Sequence, residues 1–107
     1  MSRIAHICIK KQQMYAITFD IDTNCLKDNY HNDSSPNAYG DIRKFMENND
    51  FLWQQGSVYF GNEKIDAVKC ILAVQRLAKT YPWFSTCVKD VRMLRIEENN
   101  DLMPAIR

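Results

Sequence analysis

Met14–Asp22, MYAITFDID, is the stretch on which the fold turns. A mostly apolar and aromatic run passes straight into two acids, Asp20 and Asp22. It is too short for a typical helix, and Tyr15, Ile17, Thr18 and Phe19 favour extended backbone. A buried strand that ends in carboxylates delivers negative charge to the end of a sheet. Such rigid positions suit a metal ion or phosphate chemistry. Acids also end strands because strands end at the surface, and taken by itself the stretch favours that second explanation.

Downstream, Thr23–Ser34 is polar and rich in Asn24, Asn29, Asn32 and Asp33, which form turns through side-chain to backbone bonds. Ser35-Pro36 then supplies an N-cap and a first-turn proline. Tyr39, Ile42, Phe45 and Met46 continue at helical spacing, and Asn48-Asn49-Asp50 stops the helix. Phe51–Gln55 and Ser57–Phe60 read as two short strands about Gly56, a bent strand or a tight hairpin. Gly61-Asn62 breaks the run, with Asn62 placed to cap a second helix. Its broad apolar stripe is Ile65, Val68, Ile71, Leu72, Val74, Leu77 and Ala78. Tyr81-Pro82 ends it. Trp83-Phe84 lead into a last strand, Val88–Ile96, with Val88, Leu94 and Ile96 on one face and Val91 and Met93 on the other. Apolar residues on both faces imply that a partner covers part of the second one.

The order strand, helix, strand, strand, helix, strand is the split βαβ pattern. The expected fold class is therefore α+β, ferredoxin-like βαββαβ, an antiparallel sheet with two helices on one face. The 107 residues suit one domain. Residues 14–107 form that domain, and residues 1–13 read as an N-terminal extension, an arm or an added strand. Met14 itself can serve as an alternative start.

Composition sets further bounds. A hydrophobic fraction of 46% and a charged fraction of 25% are ordinary for a globular protein. A net charge of +1 excludes a globally basic nucleic-acid-binding domain, so any RNA or DNA contact is local. Cys8, Cys25, Cys70 and Cys87 form no Cys-x-x-Cys pair and have no histidine at metal-site spacing. All four read as reduced thiols of a cytoplasmic protein, with Cys70 in the helical core pattern. His6 and His31 are isolated. No run reaches transmembrane length, and the opening lacks a signal-peptide pattern.

Several residues are candidates for chemistry. Asp20 and Asp22 share a face if the strand persists, and either hold a divalent ion such as Mg²⁺ or supply a base. Gln54-Gln55-Gly56-Ser57 interrupts the aromatic strands; Ser57 either positions a phosphate or closes a turn. Arg43 and Lys44, beside Asp41, either contact phosphates or face solvent. Lys89, Arg92 and Arg95 either form a basic rim or pair with Asp90, Glu97 and Glu98. There is no Ser-His-Asp arrangement, Walker loop or dinucleotide fingerprint.

The segments MYAITFDID, NAYGDIRKF, WQQGSVYFG and VKDVRMLRIEENNDL, in that order and spacing, resemble virulence-associated protein D (VapD), a small bacterial family. The resemblance covers residues 14–107. It implies a ferredoxin-like homodimer with endoribonuclease activity, related to the small dimeric CRISPR-associated nucleases. It also implies a toxin paired with an antitoxin, cleaving RNA at a cleft in the dimer interface. Carried over by position, the catalytic residues are Asp20, Ser57 and Asp90. Leu26 matches a hydrophobic residue near the family's site. Asp20 would bind Mg²⁺ or act as a base, and Arg43 and Arg92 would offset phosphate charge. Asp22 is not general to the family, so the resemblance singles out Asp20 alone. The alternative, from another functional class, is a noncatalytic ferredoxin-like dimer that binds a protein partner or ligand, which the near-zero net charge favours.

Overall fold

The computed structural model describes residues 14–30 and 35–107. The expected extension 1–13, Cys8, His6 and His31 lie outside them, as does the side chain of Ser35. Four strands form one antiparallel sheet: β1 (Met14–Ile21), β2 (Phe51–Gln55), β3 (Val58–Gly61) and β4 (Val88–Ile96). Their order is β2-β3-β1-β4. The helices are α1 (Thr23–Asn29), α2 (Ser35–Asn48), α3 (Ala67–Thr80) and α4 (Pro82–Cys87). A short 3₁₀ turn, Met103–Ala105, lies in the exposed tail.

Strand alternation sorts β1 cleanly. Ile17, Phe19 and Ile21 point into a core shared with Leu26 of α1, Ala38, Ile42 and Met46 of α2, Cys70, Ala73 and Leu77 of α3, and Trp83, Phe84 and Cys87 of α4. Each large apolar side chain buried this way stabilises the fold by about 1.5–3 kcal/mol. Phe19 stacks on Tyr59 at 6.0 Å and meets Phe84 edge-on at 5.7 Å, so the residue before Asp20 is fixed on two sides.

The other face follows from the register. Leu52 pairs with Phe60, Phe60 with Ala16, and Ala16 with Leu94. These four side chains make an apolar row across all four strands, away from the helices. The sequence pattern expected this second apolar face. It erred on one residue of it: Val88 packs on the helical core instead. The cause is a register shift in β4. Asp20 pairs with Asp90 but Ile21 with Val88, leaving Lys89 unpaired and reversing the parity of what precedes it.

Two helices were unforeseen. Asp22 ends the strand by capping α1, accepting from the backbone N–H of Asn24 at 2.9 Å and of Cys25 at 3.2 Å. The residues read as a turn therefore form two helical turns. Pro82 both ends α3 and opens α4. The cap of α3 is Asp66, which accepts from Lys69 N–H at 2.8 Å, while Asn62 closes a turn onto Lys64 N–H. Only part of the expected stripe of α3 is buried, since Val68, Ile71 and Leu72 are exposed.

The cysteines correct the expectation of four reduced thiols. Cys25 and Cys87 form a disulfide joining α1 to α4, whereas Cys70 is a buried free thiol. Two positions require glycine. Gly56 adopts φ +50° in the hairpin turn, and a Cβ at Gly61 would lie 2.6 Å from Ile65 Cβ.

Candidate active site

Three segments converge at one end of the sheet: the end of β1, the β2–β3 turn and the start of β4. Asp20 and Asp90 face each other across the β1–β4 pair. Like charges placed so are destabilising unless offset. Each has its own cation. The Lys89 ammonium lies 3.8 Å from Asp20 Oδ2, and Arg92 Nε donates to both Asp90 oxygens at 3.0 and 3.1 Å. The bulge at Lys89 is what brings a β4 cation to the acid of β1. Two carboxylates and two cations make a charge-balanced quartet open to solvent.

Ser57 stands on the other side of β1. Its carbonyl accepts the Phe19 N–H at 3.3 Å, one residue before Asp20. Asp20, Ser57, Asp90 and Arg92 thus gather at one sheet end. The remaining candidates do not join them directly. Arg43 projects from α2 with its guanidinium 4.3 Å from the Trp53 ring centre and its Nε donating to Glu47 at 3.3 Å. Leu26 is 1% exposed and belongs to the core, so it supports the site from beneath and offers no surface to substrate. Asp22 is committed to its helix cap, and its N–H donates to the Cys87 carbonyl at 2.9 Å. The basic-rim reading of Arg95 gives way to pairing, with Glu97 at 3.5 Å.

Beside the quartet, a cleft of about 540 Å³ opens between α2 and the β2–β3 hairpin, lined by Tyr39, Gly40, Arg43, Trp53, Gly56, Ser57 and Tyr59. Burial, and secondarily the charge of Asp20, raises the Tyr39 phenol pKa, so this ring feels the quartet. Burial likewise pushes Tyr59 up to about 12. Of these walls the sequence reading named only Arg43 and Ser57 as phosphate contacts, with Tyr39 read as part of a helical stripe and Gly56 as a turn. A glycine in the interior of the α2 pattern, one residue after Tyr39, was the available signal.

No group of three or more His, Cys, Asp or Glu side chains is placed to hold a metal among the described residues. Mg²⁺ ordinarily takes one or two carboxylates and keeps several waters, so Asp20 and Asp90 are the residues that would hold it. Arg92 bonds both Asp90 oxygens and the Lys89 ammonium stands 3.8 Å from Asp20 Oδ2, so a dication at the pair would compete with both cations.

Sheet order, one-sided helices and an acid closing β1 define a ferredoxin-like class, and the family model described as "CRISPR associated protein Cas2" matches residues 13–103. Within that class the similarity is closer to one group. Endoribonuclease VapD 2 of Riemerella anatipestifer is 67% identical over 93 residues, 87% of this chain and 99% of the relative. A protein named Endoribonuclease VapD homolog of Helicobacter pylori is 67% identical over 94 residues, 88% of this chain and 97% of the relative. Endoribonuclease VapD of Dichelobacter nodosus is 33% identical over 94 residues, covering 88% and 98%. The chain belongs to the VapD family.

Proposed function

We propose that this protein is an endoribonuclease in which Asp20 is the general base. The observation that carries the proposal is the Asp20–Asp90 pair, with Lys89 and Arg92 against it, at the open end of the sheet. Asp20 takes the proton of a ribose 2′-hydroxyl. The 2′-oxygen attacks the adjacent phosphorus, the bond to the 5′-oxygen breaks, and that oxygen takes a proton from solvent. Lys89 and Arg92 offset the charge that grows on the phosphoryl oxygens, and Ser57 hydrogen-bonds one of them. Attack from the 2′-position restricts the enzyme to RNA. Charge balance in the quartet supports this route over a metal-activated water.

The reading extends to assembly. Leu52, Phe60, Ala16 and Leu94 offer an apolar row whose neighbours toward the sheet end are Val58, Thr18 and Arg92, then the two acids. Two copies joined through that row form a homodimer with an RNA cleft at the rim of the interface, one Asp20 from each copy beside it. Leu52 and Leu94, the exposed members of the row, are the kind of apolar surface that subunits use for contact. No helix among the described residues is long and apolar enough to cross a membrane. We place the enzyme in the cytoplasm, where its RNA substrate is found and where a reducing environment would oppose the Cys25–Cys87 bond. An open ribonuclease site there needs restraint, which fits the toxin of a toxin–antitoxin pair held by a protein antitoxin.

Cleavage of end-labelled RNA with and without EDTA tests the chemistry. The expected products carry 2′,3′-cyclic phosphate and 5′-hydroxyl ends, formed at an unchanged rate in EDTA. Loss of cleavage in EDTA, or 5′-phosphate ends, would overturn the general-base route.

A further inference from the structure

The cleft between α2 and the β2–β3 hairpin has a wall that the protein's own packing does not explain. Gly40 lies inside a 14-residue helix, where glycine weakens the helix relative to alanine. A Cβ there would meet nothing within 4 Å, and no positive φ demands glycine. Gly61, by contrast, is forced by Ile65. What Gly40 provides is room in the cleft mouth. Across from it stands Trp53, on a strand yet 39% exposed. Its indole Nε1–H is held by the Gly56 carbonyl at 2.8 Å, which locks the ring against the hairpin turn. Arg43 lies over that ring, and Ser57 lines the floor.

A fixed, half-exposed indole with a guanidinium at its face and vacant space opposite is suited to a flat, electron-rich ring attached to an anion. We propose that this cleft is a nucleobase subsite: an unpaired base of single-stranded RNA stacks on Trp53, displacing Arg43 toward the adjoining phosphate. Single-stranded RNA is read in this way, by bases splayed onto aromatic and guanidinium planes. The cleft volume of about 540 Å³ accommodates one nucleoside. Ser57 lines the cleft and its carbonyl accepts the Phe19 N–H one residue before Asp20, so the subsite adjoins the end of β1. The subsite rests on the RNA reading above, and it is tested by binding alone.

The experiment uses the full chain and a fluorescein-labelled 2′-O-methyl octaribonucleotide, which cannot be cleaved through its 2′-position. Anisotropy titrations compare wild type with Trp53→Ala, Trp53→Phe and Gly40→Leu. Trp53→Ala should weaken binding roughly tenfold or more, the scale of one lost stacking contact. Trp53→Phe keeps a ring and should stay within about threefold of wild type. Gly40→Leu fills the cleft with a better helix former, so it should weaken binding by a similar factor while its melting temperature holds or rises. That variant keeps the test decisive if Trp53→Ala unfolds. Wild-type affinity in both Trp53→Ala and Gly40→Leu, or no binding by wild type, would overturn the subsite. Failure of the nuclease reading shows separately, as cleavage indifferent to Asp20, and leaves these titrations interpretable.

Discussion

Asp20 and Asp90 lie at directly paired positions, and their separate cations prevent that from being a liability. Removing one member therefore has an effect beyond its own charge. Lys89→Ala leaves two facing carboxylates with one cation, which should slow cleavage and make the remaining activity rise on adding millimolar Mg²⁺, because a dication then has an unbalanced pair to bind. Wild-type activity in Lys89→Ala, unaffected by Mg²⁺, would show that the quartet does not act as a unit. Another effect at this scale concerns tyrosine. The Tyr30 hydroxyl donates to Asp41 at 2.6 Å, and burial first, then that bond, pushes its pKa up to about 12. The folded state holds the phenolic proton more tightly than the unfolded chain, whose phenols titrate near 10. Stability from Tyr30 and Tyr59 is thus complete below about pH 10 and is lost as pH rises toward about 12. Denaturant midpoints measured between pH 8 and pH 12 should fall over that window, and Tyr30→Phe should reduce the fall.

At the scale of elements, what could be read from the sequence was what periodicity encodes. All four strands and the two long helices follow from alternation, from 3.6-residue spacing and from the breakers Asn48-Asn49-Asp50 and Tyr81-Pro82. The short helices α1 and α4 were not legible, because neither has enough length to show a period. They are held by a cap at Asp22, a proline at position 82 and the bond between Cys25 and Cys87. That bond could not be foreseen from spacing, since a separation of 62 residues is closed only by the tertiary fold. Resemblance named Asp20, Ser57 and Asp90 as candidates, and the fold gathers them at one sheet end, but Leu26 looked like a contact where burial makes it core. The bulge at Lys89 was invisible because a one-residue shift leaves no mark on composition. The disulfide carries its own prediction. It ties α1, the helix that follows Asp20, to the end of α4, immediately before the strand that carries Asp90. Reduction with dithiothreitol, or Cys25→Ser with Cys87→Ser, should cost about 2–4 kcal/mol of stability, read as a lower melting temperature. An unchanged melting temperature in the reduced protein would show that the core alone holds α1 and α4 together.

For the molecule as a whole, two features of one sheet face define the account. An apolar row, Leu52, Phe60, Ala16 and Leu94, crosses it, and two acids close one end. Subunit contact through the row would bring the acids of two copies to a shared groove. Leu94→Glu puts a charge at the β4 end of that row and should yield a folded monomer by analytical ultracentrifugation, with RNA cleavage falling in step. A Leu94→Glu protein that remains dimeric would place the contact elsewhere. The claim on which the rest depends is the role of Asp20, and the most direct measurement is the single-turnover rate of RNA cleavage by Asp20→Asn beside wild type, purified identically. Asparagine keeps the shape and removes the base. The rate should fall by about a hundredfold or more, as loss of a general base does, with the melting temperature unchanged. Cleavage by Asp20→Asn at the wild-type rate would contradict the account.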